Sequence, residues 1–195
     1  MDKQKLNLLI SRLKNDLSEG RFIHSLGVAE CAKELAERFS CDADKAYLAG
    51  LLHDCATKLT GAEMLDLALQ AGLRTEEETS NDPVADYHAR LGAVIAERDY
   101  GITDPEVLAA IARHQVGCVG MSTFDIIISL ADGIEPSRKG DKIEEIREIA
   151  QNDLIRAYLE KTAFYITNII SGRRPLSRDR VDTYNYLLKI LIQDI

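Results

Sequence analysis

At 195 residues, with 46% hydrophobic and 29% charged positions, the chain has the make-up of a globular protein. At roughly 150 residues per domain there is room for one domain with a helical appendage, not for two. Twenty-four Lys and Arg against 32 Asp and Glu leave a net charge of −8 with no basic block, which argues against a sequence-independent grip on nucleic acid.

Leu6, Leu9, Ile10, Leu13 and Leu17 keep a spacing of three or four and predict an opening amphipathic helix ended by Gly20. Leu26, Ala29, Ala32, Ala36 and Phe39, widened by Val28, Cys31 and Leu35, predict a second. Residues 42–56 read as a third, apolar on all sides toward its end (AYLAGLLHDCA), the mark of a central helix. Thr60-Gly61-Ala62-Glu63 is a capping box opening a fourth helix, which Gly72 closes. The acidic stretch 74–83 reads as a loop, followed by a helix from about Val84 to Tyr100, stopped by Gly101. Asp104, Pro105 and Glu106 provide an N-cap, a first-turn proline and an acidic first turn for a helix ending near His114. Ser122 caps TFDIIISLAD, whose Ile run is the one segment of strand composition; the cap decides for helix. Helices over about 141–151, 153–171 and 179–194 complete an all-α chain.

Four scattered cysteines (Cys31, Cys41, Cys55, Cys118) form no CxxC pair, and the opening segment is mixed in charge, unlike a signal peptide. No apolar run approaches the roughly 20 residues that span a bilayer. These features predict a cytoplasmic protein without disulfides.

Function reads most clearly from the four histidines. His24 shares a stripe with Val28, Cys31 and Leu35; His53 ends the apolar run AGLL and precedes Asp54; His88 lies on the face of Leu91 and Ile95; His114 follows Val107 and Ile111. All four are predicted to face the interior, as is Asp132 at the end of IIISLA. A single inward histidine is usually a core residue with one hydrogen bond, and one HD dipeptide says little. Five such groups turned inward are harder to dismiss, because a buried carboxylate is costly unless paired or metal-bound. No Lys or Arg shares the helical face of either aspartate except Lys58, four residues past Asp54. Imidazoles with two carboxylates form an N/O site suited to Fe, Mn, Co, Ni or Zn. With open positions such a site lowers the pKa of water and polarises a phosphoryl oxygen, as metal-assisted phosphoester hydrolysis requires.

RFIHSLGVAECAKELAERF, LAGLLHDCATKL, IARHQVG and IISLADGIEPSR together resemble the HD superfamily of metal-dependent phosphohydrolases. The match is closest to its YqeK-type family of symmetrical bis(5′-nucleosyl)-tetraphosphatases, from about Arg21 to Ser177, with LADGIEPSR the most discriminating part. The resemblance implies a single HD-domain helical bundle with a C-terminal helical extension. Its metal core would span about 18–138 and the helical portion about 139–195. It implies metal ligands His24, His53, Asp54 and Asp132 around iron, and a catalytic set of His53, Asp54, His88 and His114. His24, Asp54 and Asp132 would border the nucleotide. Arg21, His88, His114, Gln115 and Arg138 would contact its phosphates, and Pro175, Ser177 and Arg178 would close over it. His88 or His114 would protonate the leaving oxygen.

The implied partner is a small nucleotide, diadenosine tetraphosphate as substrate and ADP as product, with no nucleic acid and no membrane. Leu187, Leu188, Ile190 and Leu191 on the tail helix fit either the core or a homodimer face. Arg173, Arg174, Arg178 and Arg180 are the densest positive charge, serving a polyphosphate or simply the polar face of the tail. Ala89, Cys118 and Gly133 depart from the family pattern, which bears on substrate preference more than on hydrolysis. The rival readings are a phosphohydrolase of mono-, deoxy- or cyclic nucleotides, a nucleotide-sensing module, and a purely structural bundle.

Overall fold

The computed structural model describes residues 2–73 and 87–193. The loop expected over 74–83 and the helix start expected at Val84 lie outside them. Among the described residues ten α-helices follow one another: α1 (Lys3–Asp16), α2 (Glu19–Arg38), α3 (Ala43–Leu52), α4 (Gly61–Gln70), α5 (His88–Tyr100), α6 (Pro105–Arg113), α7 (Thr123–Ile134), α8 (Asp141–Ile149), α9 (Leu154–Ser171) and α10 (Arg178–Gln193). A 3-10 turn (Cys55–Lys58) sits between α3 and α4. Among the described residues there is no strand, in keeping with the all-α class expected. Nor is any helix among them long and apolar enough to cross a membrane.

Capping chemistry sets most helix starts. Thr60 and Glu63 form a reciprocal capping box on α4, and Ser122 with Asp125 forms another on α7. Asp104 accepts from the backbone of Glu106 and Val107 ahead of Pro105, which opens α6. The boundary between the first two helices differs from expectation. α1 stops at Asp16, the buried Leu17 turns in extended backbone, and Ser18 starts α2. Gly20 therefore lies in the first turn of α2 rather than ending α1, because Leu17 already breaks the helix by turning into the core.

Small residues let the helices of the site approach. Ala29, Ala32 and Ala36 of α2, and Ala46 and Ala49 of α3, are wholly buried where these two helices pack. A Cβ on Gly50 would lie 2.9 Å from Ala29 Cα and 3.0 Å from the Val28 carbonyl oxygen, so backbone meets backbone there. α7 runs through the centre, packed against α2, α3, α6, α8 and α9. Its run Ile126-Ile127-Ile128 has the stiffness that suits strands, yet all three side chains are buried in a helix. Burial on every side outweighs that preference. α9 covers α7, and α10 covers α9, with Leu187 entering the core while Leu188, Ile190 and Leu191 are half-buried.

Candidate metal centre

Two of the four histidines occupy helix C-caps, where the last carbonyls lack intrahelical partners. His53 caps α3 and its Nδ1 donates to the Gly50 carbonyl at 2.7 Å; His114 caps α6 and its Nδ1 donates to the Ile111 carbonyl at 2.8 Å. Each bond places the proton on Nδ1 and leaves the Nε2 lone pair facing inward. The α-helix expected over 42–56 ends at Leu52 for this reason: the His53 ring takes up the Gly50 carbonyl and the chain continues as a 3-10 turn. His24, in the body of α2, bonds through Nδ1 to Glu135 Oε1 and through Nε2 to Asp132 Oδ1, both at 3.1 Å.

The four imidazoles form a chain. Ring centroids are 5.2 Å apart for His24 and His53, 4.9 Å for His53 and His114, and 5.2 Å for His88 and His114. His24, His53 and His114 are buried as expected; His88 is turned inward too, with 18% of its side chain exposed. Ligand atoms of His24, His53 and Asp54 all lie within 4.8 Å of one another, and so do those of Asp54, His88 and His114, with Asp54 common to both groups. Asp132 Oδ1 is 3.7 Å from His53 Nε2 as well as bonded to His24. Burial pushes His114 down to about 3, so its ring is neutral. Burial alone would raise the Asp132 carboxyl, but the His24 hydrogen bond and the neighbouring His53 and Lys161 hold it well below the usual range.

Both aspartates do have basic partners, neither of them on the aspartate's own helical face: one comes from another helix and one from the turn that follows α7. Arg21 Nη1 donates to Asp54 Oδ2 at 2.7 Å from α2. Arg138, in the turn after α7, donates to Asp132 Oδ1 and to its backbone oxygen, each at 3.1 Å. Helical-face counting cannot see such pairs. Arg21 and Arg138 stay about half and 40% exposed. Gln115 follows His114 in the turn that ends α6. Pro175 and Arg178 are exposed, Arg178 pairing with Asp182 at 3.5 Å, whereas Ser177 Oγ is buried without a hydrogen-bond partner. Of the four tail arginines, Arg180 is the buried one.

Lys58 turns away from Asp54 to Asp16 at 3.2 Å and Asp99 at 3.1 Å, over the Tyr100 ring. It ties the 3-10 turn to α1 and α5. Lys58→Met is expected to lower stability by about 1–2 kcal/mol, between the surface and buried limits for such pairs, and to leave metal content unchanged. Urea unfolding with metal analysis checks both. The network also has an acid limit. Hydrogen bonds from Arg98 first, then Lys58, hold the Asp99 carboxyl at about 2, below its ordinary 3.8. Its contribution is complete above pH 3.8 and is lost as pH falls through about 2.

Three features of the site escaped the sequence. Glu135, buried at the end of α7, accepts from His24 and from the backbone and hydroxyl of Ser137. Ser129 Oγ donates to the His114 carbonyl at 2.5 Å, and the buried Lys161 of α9 donates to both the carbonyl and hydroxyl of Ser129. Gly133 makes the slot for Lys161: a Cβ there would lie 2.7 Å from Lys161 Cε. Glu135 was visible as a letter within LADGIEPSR, but nothing local says that it reaches α2. Lys161 and Ser129 lie 32 positions apart and carry no motif.

The donor set fits a metal ion. His53 Nε2 is fully buried, has no hydrogen-bond partner, and lies 3.6 Å from Asp54 Oδ2. An unpaired buried acceptor is costly, and a cation is the partner these groups are arranged to receive. A helical bundle that gathers imidazoles and carboxylates from distant helix ends defines a metal-binding protein of His/Asp type. The HD domain model matches residues 21–137. The chain is 33% identical over 176 residues to the symmetrical bis(5′-nucleosyl)-tetraphosphatase of Bacillus subtilis (strain 168), spanning 90% of this chain and 94% of the relative. It is 35% identical over 181 residues to the protein of the same name from Halalkalibacterium halodurans, spanning 90% and 93%. A crystal structure from Clostridium acetobutylicum, described as a predicted HD superfamily hydrolase involved in NAD metabolism, matches with a TM-score of 0.89 at 34% identity, covering 94% of this chain and 97% of that one. The chain belongs to the HD domain family as a YqeK-type phosphohydrolase.

Proposed function

We propose that this protein hydrolyses diadenosine tetraphosphate symmetrically to two ADP, using iron held by His24, His53, Asp54 and Asp132. The observation that carries the reading is the unpartnered Nε2 of the fully buried His53, set among His24, Asp54 and Asp132. A transition-metal ion bound there supplies Lewis acidity toward a phosphoryl oxygen and makes water acidic enough to serve as nucleophile.

The protein's own groups do the rest. His53 presents an unpartnered Nε2 with the proton fixed on Nδ1, and His24 is held through Nδ1 by Glu135 with its Nε2 directed at Asp132. Arg21 and Arg138 each spend part of a five-donor guanidinium on a carboxylate and offer the remainder to phosphate oxygens. Ser177 Oγ and Gln115 add polar contacts, and Pro175, between α9 and α10, and Arg178, at the start of α10, border the nucleotide. His88 is assigned the proton for the leaving oxygen. It is partly exposed and 3.5 Å from Asp54, whereas His114 is fully buried, neutral and has its proton tied to Ile111. The trio Asp54, His88 and His114 supports a second reading, in which those imidazoles ligate a second ion. One ion per chain by elemental analysis supports the proton-donor role; two ions assign His88 and His114 to ligation. Four free cysteines suit a reducing compartment, and the cytoplasm is the proposed location.

Product analysis tests the reaction. Protein reconstituted with Fe or Mn is expected to convert diadenosine tetraphosphate to ADP as sole nucleotide product. ATP plus AMP would overturn symmetrical cleavage. Tight binding without product would overturn hydrolysis and favour a sensing module.

A further inference from the structure

The three buried imidazoles are all held through Nδ1, but not by the same chemistry. His53 and His114 each donate to a carbonyl three residues back in their own helix. His24 sits within α2, where the backbone carbonyls are already engaged, and its anchor comes from 111 positions away: the carboxylate of Glu135. We infer that Glu135 is the residue that positions His24 as a ligand, and that its carboxylate sets how tightly the ion is held. This inference rests on the metal-binding reading above.

Glu135 is built into place. It is 2% exposed, it caps α7, and Ser137 donates to it from both backbone and hydroxyl. Gly27, one turn beyond His24 on α2, has no side chain: a Cβ there would lie 2.7 Å from Glu135 Oε2. Glycine in the interior of a helix is a destabilising choice of roughly 0.5–1 kcal/mol relative to alanine. Here it makes the space through which the carboxylate reaches the ring. Glu135 holds the Nδ1 proton, so the proton a cation displaces is the one on Nε2, the atom that bonds to Asp132 and faces His53. A carboxylate in this place raises the basicity of the ring beyond what a carbonyl does. Glu135 touches neither substrate nor the ion; it is a positioning residue.

The test uses full-length protein stripped of metal, with Mn2+ as probe. Mn2+ affinity by calorimetry is expected to fall about 10- to 100-fold in Glu135→Gln, the range typical of residues that orient a ligand from behind. Gly27→Ala keeps the carboxylate but displaces it, and a comparable loss is expected there. Nitrogen NMR of the histidine rings, which needs no metal, reads the tautomer directly. His24 is expected with Nδ1 protonated toward Glu135 in the wild type and with its proton on Nε2 alone, toward Asp132, in Glu135→Ala, with His53 and His114 unchanged. Mn2+ affinity within about twofold of wild type in Glu135→Gln, or an unaltered His24 tautomer in Glu135→Ala, overturns the inference. A wild type that takes up no Mn2+ is a separate failure, of the metal reading itself, and takes the affinity role with it.

Discussion

The His53→Ala variant is expected to lose about 10³-fold in kcat/KM toward diadenosine tetraphosphate while keeping its helical content. Ion-mediated stabilisation of phosphoryl charge is worth several kcal/mol, and 10³-fold corresponds to about 4 kcal/mol. His53 is the ligand with least redundancy. Its Nε2 faces Asp54 and Asp132 and its ring lies between those of His24 and His114. The fold survives because the replacement also removes a buried acceptor with no partner, which offsets part of the cost of the void and of the freed Gly50 carbonyl. Turnover above a tenth of wild type, in protein shown to retain its circular dichroism, would refute the ligand assignment.

Gly50→Ala should act on both stability and metal. The added methyl would meet Ala29 Cα at 2.9 Å and the Val28 oxygen at 3.0 Å. Backbone atoms cannot rotate aside, so α2 and α3 must separate. We expect an overpacking cost near the upper end of about 1–3 kcal/mol, against a helix-propensity gain of about 1 kcal/mol, for a net loss of about 2 kcal/mol in urea unfolding. Because α2 carries His24 and the end of α3 carries His53, the same shift draws the two ligands apart, and Mn2+ affinity should fall with stability. Gly20→Ala is the control. A Cβ there meets nothing within 4 Å, so that variant should gain stability through propensity and bind metal normally. Equal behaviour of the two variants would show that the close approach is not limiting.

Much of this architecture was legible in the sequence because the signals are local. The caps at Thr60, Asp104 and Ser122, and the apolar faces bearing His24, His53 and His114, depend on residues within one or two turns. What was illegible is the set of contacts that close the site across the chain. Arg21 reaches Asp54 over 33 positions, Glu135 reaches His24 over 111, and Lys161 reaches Ser129 over 32. Lys58 shows the reverse error: it has the right spacing to pair with Asp54, yet it turns to Asp16 and Asp99. Helical spacing tells which face a side chain leaves from; the neighbouring helix decides what it meets. Gly20 failed for a related reason, since a buried Leu17 ended α1 before the glycine was reached.

The placing of two imidazoles on helix C-caps has a consequence for how the centre is made. Closing the end of α3 and aiming His53 are one event, as are closing α6 and aiming His114, because the same Nδ1–H bond does both. The ring orientation is therefore inherited from helix formation and exists before any ion arrives. Little reorganisation of the His53 and His114 rings remains for an incoming cation to drive. A centre assembled in this way is preorganised by secondary structure, with the rest of the fold left to bring the prepared ends together.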